Sequence, residues 1–158
     1  MLNKNSVIGL LLLAVLTMSG CASVPMASSM EDAQAKLFKT NPDKANLYIY
    51  RNEMMGAAVR MEVDLDGQYI GTNVAQTYIR KEVDPGQHTV VSHAENDDAL
   101  TFNAQRNKNY FIWQEVKMGV LYARTKLTLV TDEIGRAGVK ECKLIAPPGE
   151  AATAGLNQ

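Results

Sequence analysis

The chain has 158 residues, 16 of them Lys or Arg and 17 Asp or Glu, for a formal net charge of −1. That balance excludes the basic face on which nucleic-acid binding depends, and the length suits one ordinary domain. Two cysteines are too few for a disulfide framework.

Lys4 is the only charged side chain before Cys21, and from Val7 to Met18 every residue except Thr17 is apolar or small. That run is too short for a ~30 Å hydrocarbon core, which takes about 20 residues. Followed by Ser19 and Gly20, it matches the apolar core and small-residue processing site of an export signal over residues 1–20. Met18-Ser19-Gly20-Cys21 resembles the lipobox of bacterial lipoproteins. The resemblance implies that Cys21 is lipidated, so that the membrane is a partner through its acyl chains. Two or three such chains anchor lastingly where one does not. Ala22, in place of Asp, resembles the class sorted to the outer membrane. It implies a lipid-anchored protein on the periplasmic face, with the inner membrane as the alternative location. An ordinary secretory peptide with an incidental cysteine is the competing reading. If Cys21 carries lipid, Cys142 has no partner and is expected to be buried and inert.

Residues 21–44 read as a lipidated tether rich in Ala, Ser, Lys and Asp. Within it, Ser28 and Glu31 fit a capping box, and Ala33, Leu37 and Phe38 suit one or two helical turns. Asn41-Pro42 stops any helix. The folded domain is expected over residues 45–145, and its signals are of period two. The first strand is "LYIY", Leu47 to Tyr50. In the next, Val59, Met61, Val63 and Leu65 face one way while Arg60, Glu62, Asp64 and Asp66 face the other, which predicts a half-buried strand. Asp66-Gly67 predicts a type I′ hairpin. Strands follow over Gln68–Ile70 and Thr77–Val83, and Asp84-Pro85-Gly86 predicts a type II turn. Further strands are read over residues 87–95, around Leu100, Phe102 and Ala104, over residues 110–117, and over residues 126–131, with turns at 96–98 and 107–109. After Thr131 the period changes. Ile134, Ala137, Glu141 and Ile145 stand at helical spacing, and Gly135 and Gly138 weaken that helix by about 1 kcal/mol each. Residues 146–158 read as a disordered tail. The expected fold is all-β: a small antiparallel β-sandwich of about 7–8 strands with a short C-terminal helix.

The stretches "ANLYIYR", "VDLDGQYIG", "VDPGQHTV", "YFIWQEVKMG" and "TDEIGRAGVKECKLI" stand in that order between residues 42 and 145. Together they resemble the DUF2846 family of bacterial envelope lipoproteins, and "DPGQHTV" is similar to PEGA-type β-domains. The resemblance implies a small β-sandwich on a lipoprotein and carries no catalytic residues.

Chemistry-bearing groups are sparse. His88 and His93 stand five apart on one strand, on opposite faces, and cannot share an ion. Glu95, Asp97 and Asp98 lack the glycine and distal glutamate of an EF-hand and read as a solvated turn. Trp113 reads as core. No nucleophile elbow or phosphate loop is visible, so no catalytic, cofactor or metal residues are expected. The expected role is a non-enzymatic module in the periplasm that binds an envelope protein or wall component. An enzyme or metal-binding domain built from scattered residues is the alternative. Two connections are too apolar for ordinary loops: "NEMMGAA", with Met54 and Met55, and "MGVLYAR", with Val120, Leu121 and Tyr122. Such clusters mark contact surfaces, unless they fold in as core. If strands alternate strictly in direction, both loops leave one end of the sandwich and the tether enters at the other.

Overall fold

Met61 and Val63 are fully enclosed while Glu62 between them is exposed, so the alternation read in this stretch becomes β2 (Met61–Leu65) with one face on the core. Asp66 and Gly67 then take φ of 52° and 78°, as a type I′ turn requires, and two residues suffice to start β3 (Gln68–Asn73). The computed structural model describes residues 24–149. Cys21, the export signal and most of the expected tail lie outside them.

The remaining elements, in chain order around that hairpin, are α1 (Ser29–Ala35), β1 (Ala45–Arg51), β4 (Thr77–Val83), β5 (Gly86–His93), β6 (Asp97–Ala104), β7 (Asn109–Lys117), β8 (Arg124–Val130), α2 (Asp132–Lys140) and β9 (Lys143–Leu144). They form a two-sheet sandwich, with order β8-β7-β1-β4-β9 in the larger sheet and β3-β2-β5-β6 in the smaller. The smaller sheet is antiparallel throughout. The larger sheet is mixed, a refinement of the expected antiparallel sandwich: β1 runs parallel to β7, and β4 parallel to β9. The cause is parity. Successive strands alternate in direction while the chain crosses between sheets, so the first and seventh run the same way and meet side by side. Between β8 and β9, α2 makes the return journey, so β9 runs with β4.

Every residue of β1 is buried, because the strand is covered on both faces. Leu47 and Ile49 point into the sandwich with Val63, Ile79, Val90 and Ile112. Tyr48 and Tyr50 point outward, where they pack with Phe38, Tyr78 and Phe111 beneath the two helices. The Tyr48 and Phe111 rings stack at 5.1 Å.

That outer layer moves the start of the folded unit. Residues 24–44, expected as part of a tether, are docked on the domain. Met26 bridges Ile145, and the Ser28–Glu31 capping box closes the start of α1 as expected. Tyr48 donates its hydroxyl to the Ala35 carbonyl at 2.9 Å. Phe38 is buried, whereas Leu37 is half exposed. The aromatic face of β1 explains this, since burial of rings of that size contributes more than the short helix could supply alone.

The C-terminal helix faces differently from its expected register. Gly135, Gly138 and Val139 are buried and Ile134 is 55% exposed. Its glycines are its contact surface: a Cβ on Gly135 would stand 2.1 Å from Phe111, and one on Gly138 2.2 Å from Tyr50. Ile145 is buried in the sandwich core, beyond β9. The Asp84-Pro85 connection is also tighter than a type II turn. Gly86 has φ of 136° and already belongs to β5, so two residues carry the chain from one sheet to the other. Trp113 is partly buried against the outer aromatic cluster.

Candidate functional site

Four connections gather at one end of the sandwich: residues 52–60, 74–76, 94–96 and 118–123. Strand pairing places them there, because Arg51 lies opposite Thr77, Met61 opposite Asn73, His93 opposite Asp97 and Lys117 opposite Arg124. The two sheets are tied together beneath these loops by buried polar groups. Asn73 donates to Gln114 Oε1 at 2.9 Å, Gln114 donates to Ser92 Oγ at 2.6 Å, and Ser92 and Thr125 share a hydroxyl hydrogen bond at 2.7 Å. A small apolar cluster of Val59, Met61 and Val116 completes the platform.

Two charged side chains then build the loops above it. Arg51, at the end of β1, is fully buried. Its Nη1 donates to the Val59 carbonyl at 2.7 Å, and its Nη2 donates to those of Met55 and Gly56 at 2.9 and 2.6 Å. Burial lowers the Arg51 pKa and the nearby Glu53 opposes that shift; an arginine keeps its charge regardless. Residues 52–60 are therefore wrapped around a cation that takes up their carbonyls.

The second loop has the opposite arrangement. Glu95, in the β5–β6 connection, accepts backbone N–H groups of Val120, Leu121 and Tyr122 at 3.0, 2.7 and 2.7 Å, and Arg124 Nε at 3.0 Å. These amides, that of Val120 foremost, hold its carboxyl down at about 2, with Arg124 adding to the effect. Asn96 exchanges two hydrogen bonds with the Thr125 backbone, and Asp98 accepts the Leu127 N–H at 2.6 Å. The turn expected to be solvated is thus a clamp on β8, because an edge strand and a loop rich in unpaired amides lie within its reach.

With their backbones satisfied from below, both loops present apolar side chains outward. Leu121 is 95% exposed, Met118 88% and Val120 83%, with Met54, Met55 and Tyr122 more than half exposed. Met55 and Gly56 of one loop and residues 116–123 of the other line a shared groove of about 270 Å³. All five residues singled out from sequence, Met54, Met55, Val120, Leu121 and Tyr122, fall in this patch. Arg51 and Glu95 were missed. The only signal for them was indirect: apolar loops cannot satisfy their own backbone, so some polar side chain has to do so.

The histidines stand at opposite ends of β5, His93 next to the 94–96 connection and His88 toward the far pole, and face opposite ways. His88 contacts Asp66 Oδ2 at 2.7 Å and the Asp84 carbonyl at 2.8 Å, and His93 contacts Asp97 and Asp64. Burial works against protonation of His88, but these acceptors outweigh it and raise its pKa. Among the described residues no group of three or more His, Cys, Asp or Glu is placed to hold a metal. Cys142, just past α2, is buried in the outer aromatic cluster, and that burial pushes its thiol up to about 12. A cavity of about 370 Å³ lies beside α1 and β4. Of the charged groups at its rim, Glu31 caps α1 and Arg80 pairs with Asn46 and Glu82, and Lys39 and Lys81 line it as well.

Fold and site together define a β-sandwich that carries a preformed apolar end. Residues 41–125 match the model of a protein family of unknown function, DUF2846, and the chain belongs to that family. The matched region contains both loops, Arg51 and Glu95. An uncharacterized protein of Haemophilus influenzae is 34% identical over 144 residues, covering 89% of this chain and 83% of its own length. No solved structure matches the chain. No helix among the described residues is long and apolar enough to cross a membrane.

Proposed function

We propose that the protein is a lipid-anchored envelope module that works by contact and not by catalysis. It is held through acyl chains on Cys21, at the periplasmic face of the outer membrane. The observation that supports this most is the construction of the apolar end. Arg51 and Glu95 spend their hydrogen bonds on the loop backbone. They are thus committed to holding a surface, on which Met54, Met55, Met118, Val120, Leu121 and Tyr122 are offered outward as an apolar patch suited to binding. The anchor itself is supported by the apolar run from Val7 to Met18 and by Ser19-Gly20-Cys21.

The anchor is tested by Cys21→Ala. Expression of the full chain with this substitution should abolish acylation and either block removal of residues 1–20 or release nearly all of the protein from membranes in flotation gradients. A Cys21→Ala protein that floats with membranes at mature size would overturn the lipoprotein reading.

A further inference from the structure

We infer that the apolar end is a second membrane contact: Met54, Met55, Met118, Val120, Leu121 and Tyr122 dip into the acyl–headgroup boundary of the same bilayer that holds the Cys21 anchor. The inference rests on the anchor reading above and adds the side of the domain that faces lipid.

The chain's route supplies the argument. Val24 does not lie at the end of the sandwich where β1 starts, as a simple tether would. It lies on the flank between β9 and β3, sharing one shallow pocket with Met26 and residues 74–77 and another with Arg60. Residues 74–76 and 52–60 belong to the end that carries the apolar loops. Only Ala22 and Ser23 stand between Cys21 and Val24, three Cα–Cα steps with a reach of at most about 11 Å. From β9 to β7 the larger sheet is three strand spacings across, or about 15 Å at ~4.8 Å each. A lipid on Cys21 therefore holds the bilayer within about 26 Å of the second loop, on the flank that residues 74–77 share with that end. The opposite pole, with the 66–67 and 105–108 connections, cannot be turned to the membrane without drawing the anchor around the whole domain. Met26, 43% exposed on the same flank, extends the apolar surface from the loops toward the anchor.

The chemistry of the patch fits lipid in its uncharged part. Lys117 is paired with Glu115, and Arg124 with Glu95, so the cations flanking the second loop are neutralised by the fold and are not left to attract anionic headgroups. Met, Val and Leu suit the acyl boundary, and Tyr is favoured at the headgroup level. The loops are also held open in advance by Arg51 and Glu95, so insertion does not have to order them.

The test uses the full chain, isolated from membranes and reconstituted into phosphatidylcholine vesicles with brominated acyl chains, which quench tryptophan on contact. Leu121→Trp and, separately, Met118→Trp should lose most of the added emission and shift it to the blue, without dependence on salt. Lys108→Trp, at the far pole, should keep its emission. Intact mass read on the same samples reports the acyl chains. Acylated protein in which Leu121→Trp and Met118→Trp are no more quenched than Lys108→Trp would overturn the lipid-facing inference, leave the anchor standing, and assign the patch to a protein partner. Protein without acyl mass would overturn the anchor reading and this inference with it.

Discussion

Replacing Arg51 by Met should lower the melting temperature of the domain by about 10 °C or more. The side chain is fully buried, and its removal leaves the Val59 carbonyl, and in part those of Met55 and Gly56, without their donor. Each buried polar group left unpaired costs about 1–3 kcal/mol. Removing the guanidinium also relieves its own desolvation, and water can reach the two outer carbonyls, so the net loss is about 3 kcal/mol rather than the sum. At roughly 3–5 °C per kcal/mol for a domain of this size, calorimetry resolves it easily. Arg51→Lys should fall between, since an ammonium keeps the charge but not the planar fork that serves three carbonyls. A shift under about 3 °C for Arg51→Met would mean that the first loop does not depend on this residue.

The second large effect is expected at α2, with the opposite sign to helix propensity. Alanine for Gly135 or Gly138 should gain about 1 kcal/mol as a helix former. In this fold the new methyl group would stand 2.1 Å from Phe111 or 2.2 Å from Tyr50, and both rings are buried in the outer cluster. The helix has to lift from the sheet, and overpacking of that kind costs typically 1–3 kcal/mol, more where nothing can yield. Packing wins: each alanine should lower the melting temperature by about 5–10 °C, and Ile134→Ala, on the exposed face, should change it by no more than ~3 °C. If Gly138→Ala stabilises the protein, α2 does not sit against Tyr50 as described.

Much of the sandwich was legible in the residues because its signals are local. Alternation in residues 59–66, Asp66-Gly67 and the Ser28–Glu31 capping box each act within one strand, turn or helix end, and each appears in the fold as read. What escaped depends on partners far along the chain. β1 was read as one short strand, but no pattern within "ANLYIYR" says that both faces are covered; Tyr48 and Tyr50 acquire their cover from α1 and α2. The same cover turns residues 24–44 from tether into part of the domain. Gly135 and Gly138 look like defects in a helix until the rings they admit are known. The two apolar loops were visible as composition, and their shared end followed from parity. Their builders were not visible, because Arg51 looks like the close of a strand and Glu95 like the polar tip of a hairpin. The route of the chain into the domain is hidden for a related reason. Strand signals alone put the point of entry at the start of β1, whereas residues 24–38 first cross the outer face of the larger sheet.

The central claim is that the apolar end is built and held, with side chains exposed over a satisfied backbone. It is tested most directly by amide hydrogen exchange at Val120, Leu121 and Tyr122. Their side chains are half to almost fully exposed, yet their N–H groups are hydrogen-bonded to Glu95. At neutral pH these amides should exchange at least about a hundredfold more slowly than in an unstructured chain. The carboxyl ionises at about 2 in the fold against its ordinary 4.5. Its contribution is therefore complete above about pH 4.5 and is lost as pH falls toward 2, so protection, corrected for intrinsic rates, should fade across that window. Exchange at unstructured rates at neutral pH would contradict the account, because the loop would then be an ordinary mobile connection that happens to be apolar.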